Sequence, residues 1–215
     1  LPLNLKAGRQ DIMLGNGWLV MDGTPLDGSR TFYLDAAKFT YSLKDLATDI
    51  DLIYINQRAQ TDESLGTLNG KEEDQAEQDE EGLILYARNK SLIPDSDLDG
   101  YFIYKNDDPV TGLCAPPSTR RDNNGSCFNS VSDNGEIYTL GIRLSGKFAK
   151  NWKLYAEGAG QWGQRRGNDM SGLGLNSRLT YELGDALKNA PHIGYEYLSG
   201  DDPSTRKNEA FDPLW

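Results

Sequence analysis

Apolar and polar residues alternate with a period of two along most of this chain, the pattern of β-strands with two unlike faces. In Lys38-Phe39-Thr40-Tyr41-Ser42-Leu43 the apolar set is Phe39, Tyr41 and Leu43. Ile50, Leu52 and Tyr54 then stand against Asp49 and Asp51, Leu83, Leu85 and Ala87 against Tyr86 and Arg88, and Phe102 and Tyr104 against Tyr101 and Lys105. Tyr138, Leu140, Ile142 and Leu144 oppose Thr139, Gly141, Arg143 and Ser145, and Leu154, Ala156 and Trp162 oppose Lys153, Tyr155, Glu157 and Gln161. The last two segments set Leu173, Leu175, Leu179, Tyr181 and Leu183 against Asn176, Arg178, Thr180 and Glu182, and Ile193, Tyr195 and Tyr197 against Glu196. With a less regular segment near Leu3 to Leu14, the pattern predicts about nine strands and an all-β fold.

Soluble sandwiches and membrane barrels both alternate, so the connections must separate them. The links are long over 15–30, short over 44–47, long over 57–81, short over 92–98, long over 107–135, short over 148–151, intermediate over 163–170 and short over 184–190, with a long tail from Gly200. Alternating short and long links are expected of an antiparallel up-and-down transmembrane barrel, with tight periplasmic turns and long extracellular loops. Greek-key sandwiches have no reason to alternate in this way. Tyr41, Tyr54, Tyr104, Tyr138, Trp162, Tyr181 and Tyr197 fall on the apolar face near strand ends, where rings sit at lipid headgroups. Core packing of a soluble β-protein uses Tyr in the same places.

Composition sharpens this picture. Of 215 residues, 37% are hydrophobic, and the longest apolar runs, such as Leu83–Ala87, fall far short of the ~18 residues of a membrane helix. The net charge of −11 argues against a sequence-independent nucleic-acid partner, which needs excess Lys and Arg. Most of that charge sits between Thr61 and Glu81, where nine acids face one base, Lys71, so 61–81 reads as an acidic, solvated extracellular loop. No basic and apolar leader opens the chain at Leu1.

Two stretches resemble the alginate-export family of outer-membrane proteins: Gly8-Arg9-Gln10-Asp11-Ile12 with Gly15, and Tyr197 through Thr205 continuing in Asn208 through Trp215. The terminal run is the more specific of the two. The resemblance implies a bacterial outer-membrane barrel of about eighteen strands whose basic lumen passes an acidic polysaccharide, with lipid, lipopolysaccharide and periplasmic export proteins as its partners. Nine strands are about half of such a barrel, and Pro213 cannot donate to a ladder, so the expectation is a partial chain or a subunit closed by others.

If the apolar set faces lipid, the lumen is lined by Lys38, Arg88, Lys105, Arg143, Lys153 and Arg178 with Asp49, Asp51, Glu157, Glu182 and Glu196. Arg9 shares the parity of Leu5 and Ala7 and joins them only if Gly8 marks a bulge. Arginine forks suit the carboxylates of uronates. The alternative is that these bases pair with the neighbouring acids in a mixed-charge interior. Cys114 and Cys127 fall in the 107–135 loop, and in an oxidising compartment a bridge between them would contribute roughly 3 kcal/mol; two free thiols are the alternative. Asp95, Asp97, Asp99 and Gly100 copy the first half of a calcium loop, but its twelfth position is Asn106 and the next residues read as strand, so a polar turn is the competing reading and no cofactor is required. His192 is the one histidine, which excludes a multi-histidine metal site.

Transport of an anionic polysaccharide or oligosaccharide is thus the leading expectation, with no enzymatic role. A soluble carbohydrate-binding domain using Trp152, Tyr155 and Trp162 is the second. A polysaccharide-cleaving enzyme using Tyr, His and Arg or a carboxylate pair such as Glu157 and Glu182 is the third, and no spacing brings that carboxylate pair together.

Overall fold

The computed structural model describes residues 2–21, 33–58, 79–108 and 134–215. Nine strands form one antiparallel sheet in chain order: β1 (Leu3–Gln10), β2 (Leu34–Leu43), β3 (Thr48–Gln57), β4 (Glu80–Asn89), β5 (Ser96–Asp107), β6 (Gly135–Ala149), β7 (Trp152–Arg165), β8 (Asn168–Tyr181) and β9 (His192–Leu198). Every strand pairs with its sequence neighbours, the topology of an up-and-down meander. The sheet does not close, because β1 and β9 do not pair with each other.

The expected strand positions hold, and the links at one end are short throughout. A single turn of 3₁₀ helix, Lys44–Leu46, joins β2 to β3. At the β4–β5 turn the Asn89 side chain accepts from the backbone N–H groups of Ser91 (2.8 Å) and Leu92 (2.6 Å). One link differs from expectation. Instead of an intermediate connection over 163–170, β7 and β8 are joined by Arg166 and Gly167 alone, both at positive φ (54° and 75°). Two such residues match the backbone of a tight hairpin to the twist of its strands.

The register sorts the side chains onto two faces. The apolar set points outward and is exposed: Leu140 and Ile142 are each 59% accessible and Leu173 58%. The outward rings lie in two bands. Tyr104, Tyr138 and Trp162 pack side by side near the long-loop end, with centroids 5.2 Å and 6.0 Å apart, and Phe148, Trp152 and Tyr181 do so near the short-turn end. On β7, Trp152 and Trp162 are ten positions apart. At ~3.3 Å per residue and a strand tilt of ~40° that is about 25 Å along the membrane normal, the height of the apolar band of an outer-membrane barrel.

The opposite face is half apolar and half polar. Towards the long-loop end Ile53, Ile55, Ile84, Ile103 and Ile137 are fully or almost fully buried. They are covered by two segments that fold onto this face and together form a shelf. The first is 12–20, which buries Ile12, Leu14, Leu19 and Val20 and turns on Gly15 and Gly17. The second is the segment that returns from β9, which buries Phe211 and Leu214. Ring stacking of Trp18 on Phe211 (5.5 Å) and a hydrogen bond from Trp215 N to Leu19 O (3.1 Å) join the two. Glycines in the sheet make room for the shelf: a Cβ on Gly174 would stand 2.7 Å from Phe211 Cζ and 2.9 Å from Trp18 Cη2, and one on Gly82 would meet Trp215. Burying each isoleucine contributes about 1.5–3 kcal/mol, so the shelf is held by a true core.

Candidate functional site

The inner face between the shelf and the short turns carries the chemistry. Following the pairing sideways, one row runs Asp49, Arg88, Asp99, Arg143, Glu157, Asn176, Glu196 across seven strands. Five of the expected lumen residues therefore share a single level, and opposite charges alternate through most of it. Directly opposed unlike charges favour this register by about 0.2–1 kcal/mol each.

Within this row the charges are held rather than free. Asp99 is completely buried and accepts from Arg143 Nε at 2.7 Å and Nη2 at 2.6 Å, and from the Tyr86 hydroxyl. Its Oδ1 has no hydrogen-bond partner among the described residues. Glu157 accepts from Tyr101 at 2.8 Å and from Tyr155. Tyr101 reaches over β6 to do so because its opposite number there is Gly141, where a Cβ would overlap the ring. Arg88 lies 5.6 Å over the Tyr86 ring, and the Tyr86 and Tyr101 rings are parallel at 5.6 Å. Glu196 accepts from Trp18 Nε1 at 2.8 Å, which ties the shelf to β9.

Other expected lumen residues pair locally. Lys38 bridges Asp51 at 2.8 Å, Thr40 donates to Asp51 at 2.5 Å and Ser42 to Asp49 at 2.6 Å. Lys105 is buried, bridges Asp107 at 3.0 Å and Glu80 at 3.4 Å, and lies 5.3 Å over the ring of Trp215, whose Nε1 donates to Glu80 at 2.9 Å. Glu80 and Glu81, expected in the acidic loop, belong to β4. Lys153 and Lys147 both bridge Glu182, and their hydrogen bonds, that of Lys153 first, hold its carboxyl below the ordinary glutamate range. Arg178, on the same face, is exposed.

Arg9 is the correction. Gly8 pairs in register with Ala36 and adds no extra residue, so Arg9 keeps the parity of Leu5 and points outward, with Nε 3.0 Å from Asp35. Asp97 and Asp99 lie in the extended strand β5, paired with Ser145 and Arg143, so they do not wrap as a calcium loop does. Among the described residues no group of three or more His, Cys, Asp or Glu side chains is placed to hold a metal ion. Trp152 and Trp162 face outward and Tyr155 inward, so they do not make one sugar platform. Glu157 sits in the charged row and Glu182 at the rim beside two lysines, on separate networks. Cys114, Cys127 and most of the acidic loop lie outside the described residues.

The shelf was not anticipated from the sequence. Its signal is present, however, in Ile53-Tyr54-Ile55, Leu83-Ile84-Leu85 and Phe102-Ile103-Tyr104, where alternation lapses and both faces are apolar. A strand apolar on both faces is covered on both. The covering segments take in part of each stretch that carries the family resemblance, Ile12 with Gly15 from the first and Asn208 through Trp215 from the second.

No curated protein and no solved structure matches the chain. A sequence model of the family described as alginate export matches residues 1–215 in full, and the open up-and-down sheet with its exposed apolar outer face agrees with it: the chain belongs to the alginate-export family of outer-membrane β-barrel transport proteins.

Proposed function

We propose that this chain forms one side of an outer-membrane channel through which an anionic polysaccharide or oligosaccharide of the alginate type passes passively, down its gradient, along a charged inner face. The observation that carries the reading is the reversed distribution of polarity. Leucine, isoleucine and aromatic side chains stand exposed on the outer face, whereas ion pairs and hydroxyls lie on the inner one. A water-soluble sheet has no reason for this arrangement, and a bilayer requires it. The outward aromatic bands would sit at the two headgroup levels, against lipid and lipopolysaccharide. The two sheet edges call for further strands, since unpaired backbone groups in hydrocarbon cost several kcal/mol each.

The inner charges are balanced rather than uniformly basic. That suits a polymer that must leave as readily as it enters, held weakly at many sites. The test is planar-bilayer conductance of the complete barrel with and without added polyuronate. Reversible block is the expected result. An open channel indifferent to the polymer would leave a general porin and remove the polysaccharide.

A further inference from the structure

The four short turns share a composition that passage of a solute does not call for. Each has one lysine and, within two residues of it, one exposed large apolar side chain: Lys44 with Leu46, Lys90 with Leu92, Lys150 with Phe148, and Lys188 with Leu187. Turns bathed in water gain nothing from exposed leucines. At a bilayer interface the apolar residue and the lysine stem meet acyl chains while the ammonium meets headgroup phosphates. Asp45, Asp95 and Asp185 stand in three of the same turns, so this rim is close to neutral rather than basic.

On the outer face, between the β4–β5 and β6–β7 turns, the rim opens into a cleft of about 640 Å³. This volume is within the ~300–1,000 Å³ of small-molecule sites. The outward positions of β6 here are Leu144, Gly146 and Phe148, so the glycine leaves a gap between two large side chains. Ser96 on β5 and Leu154 on β7 flank the gap, and Ser96 leans over Gly146 so closely that a Cβ there would overlap it. Phe148 has no partner on β7, because the register shifts between Lys147 and Ala149. A bulge of this kind re-aims a side chain, and the Phe148 ring stands 62% exposed beside Trp152 in the aromatic band of the short-turn end. The cleft therefore lies at the level of the headgroups.

Three charged side chains line it: Asp95, Lys147 and Lys150. Lys147 is turned to the inner face, where Glu182 neutralises it at 3.1 Å, and Asp97 is on that inner face too, opposite Ser145. Asp95 and Lys150 are exposed, and the side chain of neither has a hydrogen bond or ion pair with a described residue. The backbone of Asp95 is fixed at φ 54° and its carbonyl accepts from Lys147 N at 3.0 Å. One anion and one cation, both without partners, thus stand at the mouth of an apolar slot.

We propose that this cleft binds one zwitterionic phospholipid with a primary-ammonium headgroup, a phosphatidylethanolamine, in the leaflet at the short-turn end. Lys150 donates to the phosphate, the Asp95 carboxylate accepts from the lipid ammonium, and Leu144, Phe148 and Leu154 hold the start of an acyl chain. A phosphatidylglycerol supplies no cation to Asp95, and a phosphatidylcholine supplies a cation with no N–H to donate. The proposal rests on the outer-membrane placement of the channel reading and not on which solute passes.

The experiment is native mass spectrometry of the complete barrel in detergent with equimolar phosphatidylethanolamine, phosphatidylcholine and phosphatidylglycerol of the same acyl chains. The unaltered protein is expected to retain one phosphatidylethanolamine in preference to the other two. Lys150→Gln should lower that retention about tenfold, the loss of one charge-assisted hydrogen bond. Asp95→Asn, which tolerates the left-handed backbone, should bring phosphatidylethanolamine down to the level of phosphatidylcholine. Unchanged heat-modifiable migration shows that the variants are assembled. Equal retention of the three lipids by the unaltered protein, preference for phosphatidylglycerol, or a preference for phosphatidylethanolamine that survives either substitution would overturn the lipid site and leave the membrane barrel standing. A chain that stays monomeric and soluble without detergent would overturn both.

Discussion

At the scale of single residues, Asp99 and Arg143 are the most tightly constrained pair on the inner face. Both are buried, and Gly15 at the shelf tip is so close that a Cβ there would stand 2.8 Å from Arg143 Cδ. Removing one partner of a buried ion pair strands the other, at a cost of about 3–5 kcal/mol, whereas replacing both by apolar groups of similar volume is often neutral. Arg143→Leu and Asp99→Leu should therefore each lower stability by that order, and the double variant by much less than their sum, as measured by denaturant unfolding in detergent micelles. Additive losses would mean that the two side chains do not depend on each other. Arg143 was legible in the sequence, because the polar parity of its strand names it, whereas Asp99 reads there as part of a polar turn or calcium loop. The pairing of the two was not legible, since Arg143 meets Asp99 only when β5 and β6 come into one register out of several that alternation allows.

At the scale of elements, the strands were readable because a period of two needs no knowledge of neighbours. The hairpin between β7 and β8 is shorter than the sequence suggests for a local reason: its turn is Arg166-Gly167, not the Asn-Gly or Asp-Gly pair that signals a two-residue loop. The outward face of β6 provides a test of what surrounds the sheet. Ile142 lies between the two aromatic bands and is 59% exposed. In a water-soluble protein, arginine at so exposed a position would change stability by no more than ~0.5 kcal/mol. At the bilayer midplane it should cost about 2–4 kcal/mol. Ile142→Arg, measured by reversible unfolding from lipid bilayers, is expected to show the larger loss, and a change within error would place that face in water.

At the scale of the whole molecule, the shelf matters most, since it fills the inner face at the long-loop end and leaves the polar half below it open. In a closed barrel a solute must pass beside the shelf's exposed side, where Asp11, Met13, Asn16 and Met21 lie. The shelf is held to the sheet by Trp18 and Phe211 stacked over Gly174 and by the Trp18 bond to Glu196. Paired truncation, Trp18→Ala with Phe211→Ala, should loosen it and raise the single-channel conductance of the complete barrel, and an unchanged conductance would show that the shelf lies outside the conducting path. The sequence by itself determined the nine strands, their two faces and the outward direction of the apolar one, because these follow from side-chain parity within each strand and from the lengths of the links between strands. Only the tertiary structure decided that 12–20 and 208–215 turn inward onto the sheet, that Lys38, Asp51, Lys105, Arg143, Lys153 and Glu182 of the expected lumen charges are held in ion pairs, and that Arg178 faces an open recess. Those outcomes depend on contacts between residues as far apart as Trp18 and Glu196, and no local pattern encodes which distant surfaces will meet.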